Sequence, residues 1–442
     1  LFDGSMLTVN GISVGKGANS VAANTVLGQS ALDAAVTGSH NTAIGFDALT
    51  VNTSGNSNVA VGANALDANT TGTQNTAVGR SALGANTTAS NNVAIGNNSM
   101  LLNTEGTANT AVGTATLDAN TTASNNTAMG TSALGANTTG ADNVALGAEA
   151  LDANTTASSN TAVGRSVLGN NTTGEYNTAI GRGSLFKNTT ADNNTAVGRF
   201  ALLENTTGAK NVALGAEALD ANTTASDNTA VGYSSLSANT TGASNTACGK
   251  NALMSNTTAS NNTAVGLEAL KVNTTGTSNV ALGAFALDAN TTANNNTALG
   301  TRALSGTTTG SQNCAVGEDS LLVNTTGGQN VAVGRNALAA NTSGDHSTAV
   351  GDLALQNNTA AANTAVGSGA MQANTSGNAN VAVGYVALDA NTTGAQNVAI
   401  GQSALGNNTT ASNNTAIGRS ALKDNTTGTR NTAIGSVALS AN

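Results

Sequence analysis

The amino-acid sequence predicts an all-β chain: a parallel β-solenoid or β-roll with one 17-residue repeat per turn and about 25 turns. Three observations predict it. The phrase NTAVGxxALxxNTTGxx recurs twenty-five times; its opening Asn stands at Asn24, Asn41, Asn58, Asn75 and onward to Asn431, 17 apart except for one 16-residue step after Ser347, itself in an Asn slot. A unit that short cannot bury a core alone, so consecutive units must stack. A Gly and a run of Asn and Thr in every repeat make a helix a poor reading of the Ala- and Leu-bearing segments. Residues 24–442 form the repeat array, and residues 1–23 fit the period only loosely.

The columns of the repeat predict each element in turn. With the first Asn as offset zero, offset 2 is Ala from Ala43 to Ala433, with Val26 before them. Offset 3 is aliphatic (Ile44, Val61, Val78, Ile95, through Ile434), with Met129 and Cys248 as variants. The Thr-Ala-Val segment is a short strand of β-branched residues, ended by Gly at offset 4. That Gly is present in every repeat from Gly28 to Gly435, which predicts a positive φ or a backbone crowded by its neighbour. The next x-x-Ala-Leu segment reads as a second strand or extended piece, with Leu at offset 8 replaced only by Met100 and Met371. Asn-Thr-Thr-Gly-x-x then turns the chain back, using residues that bond their own backbone. Asn recurs at offset 11 (Asn52, Asn69, Asn86, through Asn442, with Ala35 and Thr307 as departures), and stacked Asn at offsets 0 and 11 predict amide ladders. From Gly72 to Gly310, offset 14 alternates strictly between Gly and Ala, which reads as duplication of a two-repeat unit. At about 4.8 Å per turn, the array would extend for roughly 120 Å.

The uniform Ala at offset 2 is the anomaly in this pattern. Side chains alternate along a strand, so offsets 1 and 3 share one face and offset 2 takes the other. A face meeting water should vary, as offsets 5 and 6 do. One Val and one Leu inside each turn would also make a thin core. Both points predict a homotrimer with the Ala columns near its threefold axis; a monomeric solenoid is the alternative. Residues 1–23 would cap the first turn and shield its open edge, or attach a preceding segment.

Composition excludes more than it indicates. Charged residues are 8% of the 442, aromatics 2%, and the net charge is −9. Nucleic acid wants clustered Lys and Arg, so it is not an expected partner. No stretch approaches the roughly 20 apolar residues of a membrane span. Cys248 and Cys314 lie 66 residues apart, nearly four turns, too far for a bridge. Cys248 occupies the aliphatic column and reads as a small core filler.

No catalytic, cofactor-binding or metal-binding residue is expected. His40 and His346 both precede an offset-zero slot and are too far apart to converge. Asp67, Asp118, Asp152, Asp220, Asp288 and Asp389 form a loose acidic stripe, read as a solvated face. The aromatics Phe46, Tyr176, Phe186, Phe200, Tyr233, Phe285 and Tyr385 occupy scattered offsets and build no continuous stacking platform. Asn-Thr-Thr matches a glycosylation acceptor, but Asn and Thr have structural reasons to recur.

The NTAVGxxAL phrase, and above all NNVAIG at 91–96 and QNVAIG at 396–401, resembles the head repeats of trimeric autotransporter adhesins. That resemblance implies a trimeric left-handed parallel β-roll. The opening LTVNGISVGKG followed by long NTAVGxxALxxNTTG arrays looks still more like bacteriophage tail-fibre and appendage proteins. The resemblance implies an extracellular structural and adhesive fibre shaft on a virion or cell surface. It would be self-associated, with receptor or glycan binding through a segment outside this chain. An ice-binding solenoid is the alternative, because Thr at offsets 1, 12 and 13 could form a flat array. Val59, Val93, Val144, Val212 and Val280 interrupt the first of those columns.

Overall fold

The computed structural model describes residues 7–440 and is all-β apart from one 3-10 turn at Ala18–Ser20. The chain divides into two compact units, residues 1–224 and 225–442. The same turn builds both. In the first unit, strands of three or four residues follow one another from β3 (Thr25–Gly28) and β4 (Thr42–Ile44) to β14 (Val212–Leu214). In the second they run from β15 (Thr229–Val231) to β27 (Thr432–Ile434). From β3 onward, consecutive strands within each unit pair in parallel, like on like: Val144 opposite Thr161, Ala145 opposite Ala162, Leu146 opposite Val163. The predicted parallel β-solenoid of one repeat per turn is therefore the fold.

The turn from Asn143 to Ser159 shows how the sequence makes it. Its strand, Val144–Leu146, ends at Gly147, whose φ is +139°. A Cβ built there would lie 2.4 Å from the carbonyl oxygen of Gly164 in the next turn. Both reasons expected for this Gly hold: a conformation L-residues avoid, and a backbone neighbour where a side chain would go. The x-x-Ala-Leu segment departs from expectation. It is no second strand but a run of tight turns, with left-handed backbone at Glu149 (φ 61°) and Leu151 (φ 53°). A left-handed Leu costs roughly 1–2 kcal/mol. Burial offsets that cost: Leu151 is fully buried, and its N–H donates across to the carbonyl of Val167 at 3.0 Å.

The interior of this turn consists of Asn143, Ala145, Ala150, Leu151, Asn154 and Ala157, all at most 1% exposed. This overturns the expected placing of the Ala column. Ala at offset 2 points into its own turn, not toward a threefold axis between chains. Offset 3 points outward instead, leaving Ile180, Leu214, Leu282 and Ile400 each at least 38% exposed. The core of this turn holds one Leu and three Ala, and turns with Gly at offset 14 have Leu or Met with mostly Ala at offsets 2 and 7, not one Val and one Leu. Cys248, on the outward column, is exposed and no core filler; it and Cys314 are both free thiols, with no bridge between them.

The buried Asn side chains supply what the thin apolar core does not. Asn154 Nδ2 donates to Asn137 Oδ1 (2.9 Å) one turn back and to the carbonyl of Ala157 (3.0 Å) in its own corner. Asn154 Oδ1 in turn accepts from Asn171 Nδ2 (3.0 Å). This is the expected amide ladder at offset 11. Offset zero forms a different device. Asn143 Oδ1 accepts the backbone N–H of Asn160 (3.0 Å), while Asn143 Nδ2 donates to the same Ala157 carbonyl (2.9 Å). Two Asn side chains thus close each corner on one carbonyl. Outside them, Thr155 Oγ1 donates to the carbonyl of Thr172 (3.2 Å).

The Gly/Ala alternation at offset 14 has a physical correlate beyond duplication. Turns with Ala there carry Ser, Asp or Asn next, and that side chain accepts the backbone N–H of the preceding, Gly-bearing turn. Thr73 N donates to Ser90 Oγ (2.9 Å), Thr107 N to Ser124 Oγ (2.9 Å), Glu175 N to Asp192 Oδ1 (2.7 Å) and Thr277 N to Asn294 Oδ1 (2.7 Å). Ala at offset 14 never adjoins Ala in the next turn anywhere in the sequence. A Cβ on Gly140 would sit 2.2 Å from the carbonyl oxygen of Ala157, so the two turn types are not interchangeable.

The irregular repeats show the ladder's tolerance. Thr307 stands in an offset-11 slot and cannot donate an amide; Asn290 Oδ1 below it is buried without a partner, and Asn324 Nδ2 reaches Thr307 Oγ1 only at 3.5 Å. The 16-residue turn at 347–362 drops one residue from its corner, where Asn358 Nδ2 closes on Ala360 two residues ahead instead of three (2.7 Å). At the start, β1 (Leu7–Val9) and β2 (Ile12–Gly15) form an antiparallel hairpin. The β2 strand pairs antiparallel along the edge of β3. The described part of residues 1–23 therefore covers the first parallel strand; residues 1–6, and the final Asn442 of the offset-11 column, lie outside the described residues.

Three substitutions test the ladder and the strained leucine. Thr307→Asn gives Asn290 Oδ1 its missing donor and is expected to stabilise the second unit by about 1 kcal/mol in urea denaturation. Leu151→Ala is expected to cost about 2–4 kcal/mol. Leu151→Gly should be no worse than Leu151→Ala, against the usual order, because Gly relieves the left-handed strain that Ala retains.

Candidate functional site

With Ala, Leu and Asn turned inward, the outward positions are offsets 1, 3, 5, 6, 9, 10 and the corner residues. Each column places one side chain per turn, about 4.8 Å from the next. Any site must therefore come from neighbours on adjacent turns, not from residues close in sequence.

The sequence-predicted residues stay apart on this surface. His40 is exposed in the first unit, its Nδ1 2.9 Å from Ser39 Oγ. His346 is exposed at a corner of the second unit. Among the described residues no group of His, Cys, Asp and Glu is placed to hold a metal ion, and no helix is long and apolar enough to cross a membrane. The Asn-Thr-Thr acceptor asparagines are buried, with both amide hydrogens engaged in the ladder, so the folded array does not present them for glycosylation.

The Asp stripe occupies offset 9 and is not all solvated. Asp220 is half-buried, and loss of water pushes its carboxyl from 3.8 up to about 6, with Glu217 and Glu204 adding repulsion. Its Oδ1 is buried with no hydrogen-bond partner. Burial raises Asp118 and Asp389 in the same direction, and burial together with Glu149 and Asp118 raises Asp152. Asp288 differs in accepting a hydrogen bond from Ser305 Oγ at 2.7 Å.

One groove in the first unit combines charge with aromatic surface. Three consecutive turns place arginine at offset 5: Arg165, Arg182 and Arg199. Facing them are Phe186 at offset 9 and Phe200 at offset 6. Each ring lies over a glycine of the preceding turn: a Cβ on Gly169 would meet Phe186 Cε2 at 2.9 Å, and one on Gly183 would meet Phe200 Cδ1 at 2.8 Å. Between them opens a groove of about 370 Å³, walled on the far side by the Lys187–Glu204 ion pair. Two of the aromatic residues, read as scattered by their offsets, line one groove here. The signals that sequence reading passed over are the repetition of Arg in one column and the Gly one period before each Phe.

A pH-dependent outcome follows from Asp220. Its folded value lies above its unfolded one, so the folded chain binds the proton more tightly. Its unfavourable contribution is absent below about pH 4, grows as pH rises, and is complete above about 6. Asp220→Asn is expected to stabilise the first unit by about 1 kcal/mol at pH 7.5, after allowance for solvent screening, and to change little at pH 4. Urea denaturation at the two pH values measures it.

No known protein-family model matches the chain, and no curated protein matches it.

Proposed function

We propose that the chain is the shaft of an extracellular fibre, a structural and adhesive appendage of a virion or cell surface that presents other segments at a distance. One observation carries this reading. The least variable residues are spent on stacking one turn upon the next: Asn143, Ala145, Gly147, Leu151 and Asn154 in one turn, and their equivalents in the others, with few departures such as Val26, Met100, Thr307 and Ser347. Among the outward positions, offsets 5, 6, 9 and 10 vary freely. In an enzyme the constraint would fall on outward, converging groups. The likeness of NTAVGxxAL to tail-fibre and adhesin repeats supports the same reading.

The shaft assembles as a homotrimer, with chains meeting on the outward offset-3 column. That column leaves Val350, Val366, Val383, Ile400 and Ile417 each at least 36% exposed on successive turns of the second unit, a continuous apolar stripe of the kind that marks an interface. Any receptor or glycan bound at a tip is met by a segment outside this chain. A second reading, an ice-binding surface, is favoured by one specific observation: the strand face turns Thr at offset 1 and an aliphatic residue at offset 3 outward in a regular array.

Light scattering tests the assembly. The expected mass is three times 42.6 kDa. Val383→Lys, Ile400→Lys and Ile417→Lys combined should yield a folded monomer of unchanged circular dichroism. A monomeric parent chain would reject the trimer. Thermal hysteresis activity in that monomer would favour the ice-binding reading over the shaft.

A further inference from the structure

We infer that the groove at Arg182, Phe186 and Phe200 binds an acidic saccharide, a sugar ring bearing a single carboxylate, on the flank of the first unit. The inference stands apart from the shaft reading, since the array would stack identically without it.

Four observations converge on the groove. The first is electrostatic. Arg165, Arg182 and Arg199 are like charges on neighbouring turns, an arrangement that costs energy and that stacking does not require: the same column carries Ala148 before them and Ala216 after. Four of the chain's 14 Lys and Arg fall between Arg165 and Arg199, in a protein of net charge −9. The second is pairing. Arg165 lies 3.9 Å from Glu149, and Arg199 pairs with Glu217, but among the described residues the central Arg182 has no carboxylate partner. Its guanidinium stands 5.8 Å from the centroid of the Phe200 ring, which Arg199 also covers at 4.9 Å. A guanidinium held by ring faces keeps its hydrogen-bond fork free for a planar anion.

The third observation is space. Gly169 at offset 9 and Gly183 at offset 6 leave room that a side chain would fill, and each admits one of the two phenyl rings. Two such Gly–Phe pairings in adjacent turns clear a groove of about 370 Å³, within the range of small-ligand sites. The fourth is the lining's mixed character. Glu204 and Lys187, paired on the far wall, offer an acceptor and a donor to vicinal hydroxyls, and Ser166 Oγ, which donates its hydrogen to Glu149, adds a second acceptor. The Glu204 carboxylate disfavours a doubly charged phosphate. It tolerates a monoanion whose remaining groups are hydroxyls. The apolar C–H face of a pyranose fits against Phe186, while its carboxylate reaches Arg182. A phosphate polymer is disfavoured because the basic column stops at Ala148 and Ala216.

The test is titration of the full chain with free N-acetylneuraminic acid and galacturonic acid, followed by ligand-observed NMR and calorimetry. Galactose, inorganic phosphate and sulfate serve as comparisons. Saturable binding of at least one acidic sugar, about tenfold tighter than galactose and than phosphate, is expected. Arg182→Gln should weaken that binding by about tenfold or more. Gly183→Ala should do the same by displacing the Phe200 ring, whereas Arg335→Gln in the second unit should leave it unchanged. Circular dichroism establishes that each variant is folded, and Arg182→Gln, an exposed position, keeps the test decisive if Gly183→Ala is not. Absence of saturable binding by both acidic sugars overturns the inference. So does phosphate binding of equal strength, or indifference of binding to Arg182→Gln.

Discussion

A carboxamide buried away from water must find partners for two hydrogens and two lone pairs, or it costs more than it contributes. In this protein two such groups per turn find theirs in the turns above and below. Asn137, Asn154 and Asn171 are linked amide to amide, and each also binds the backbone of its own corner. The ladder works only if each turn repeats the last in both length and position. This requirement explains the strictness of the 17-residue period better than the apolar core does, because one Leu or Met and a few Ala per turn could tolerate a drifting register. Where a turn departs, the ladder records it, as an unpartnered oxygen at Asn290 or a shortened corner at Asn358.

The same constraint accounts for the unusual backbone. Corners closed by asparagine leave few residues in which to turn the chain between Gly147 and Asn154. The path is completed by left-handed residues at Glu149 and Leu151. Glycine would be the easier choice at the second. Leucine is there because the turn's only large apolar group must enter the core from that point, and strain is accepted in exchange for burial. Each turn thus balances a strained leucine against a satisfied pair of amides.

Much of this was legible in the sequence. Period, parallel stacking, the Gly column and the Asn ladder follow from which residue types recur and how far apart. The facing of the strand did not follow. A three-residue strand alternates only once, so Thr-Ala-Val fits equally with Ala inward or Ala outward, and a small uniform residue signals tight packing without saying against what. The structure resolves it: Ala at offset 2 faces a narrow interior shared with Leu and two Asn, where it is fully buried in nearly every turn. The extended reading of x-x-Ala-Leu failed for a related reason. Leucine rarely adopts a left-handed conformation, so no propensity argument places it there. The groove of the first unit was hidden by reading residues one at a time, because Arg165, Arg182 and Arg199 are neighbours only once turns are stacked.

The paired corner types carry a consequence for how such a gene can grow or shrink. Tandem repeats are gained and lost by slippage, one or more periods at once. Removing an Ala-type coil brings two Gly-type coils together, and such neighbours do exist at Gly310, Gly327 and Gly344. Removing a Gly-type coil would set two methyl-bearing corners face to face, a junction absent from the whole chain. Single-period losses are therefore one-sided, and over generations the regular two-coil rhythm should erode toward glycine corners.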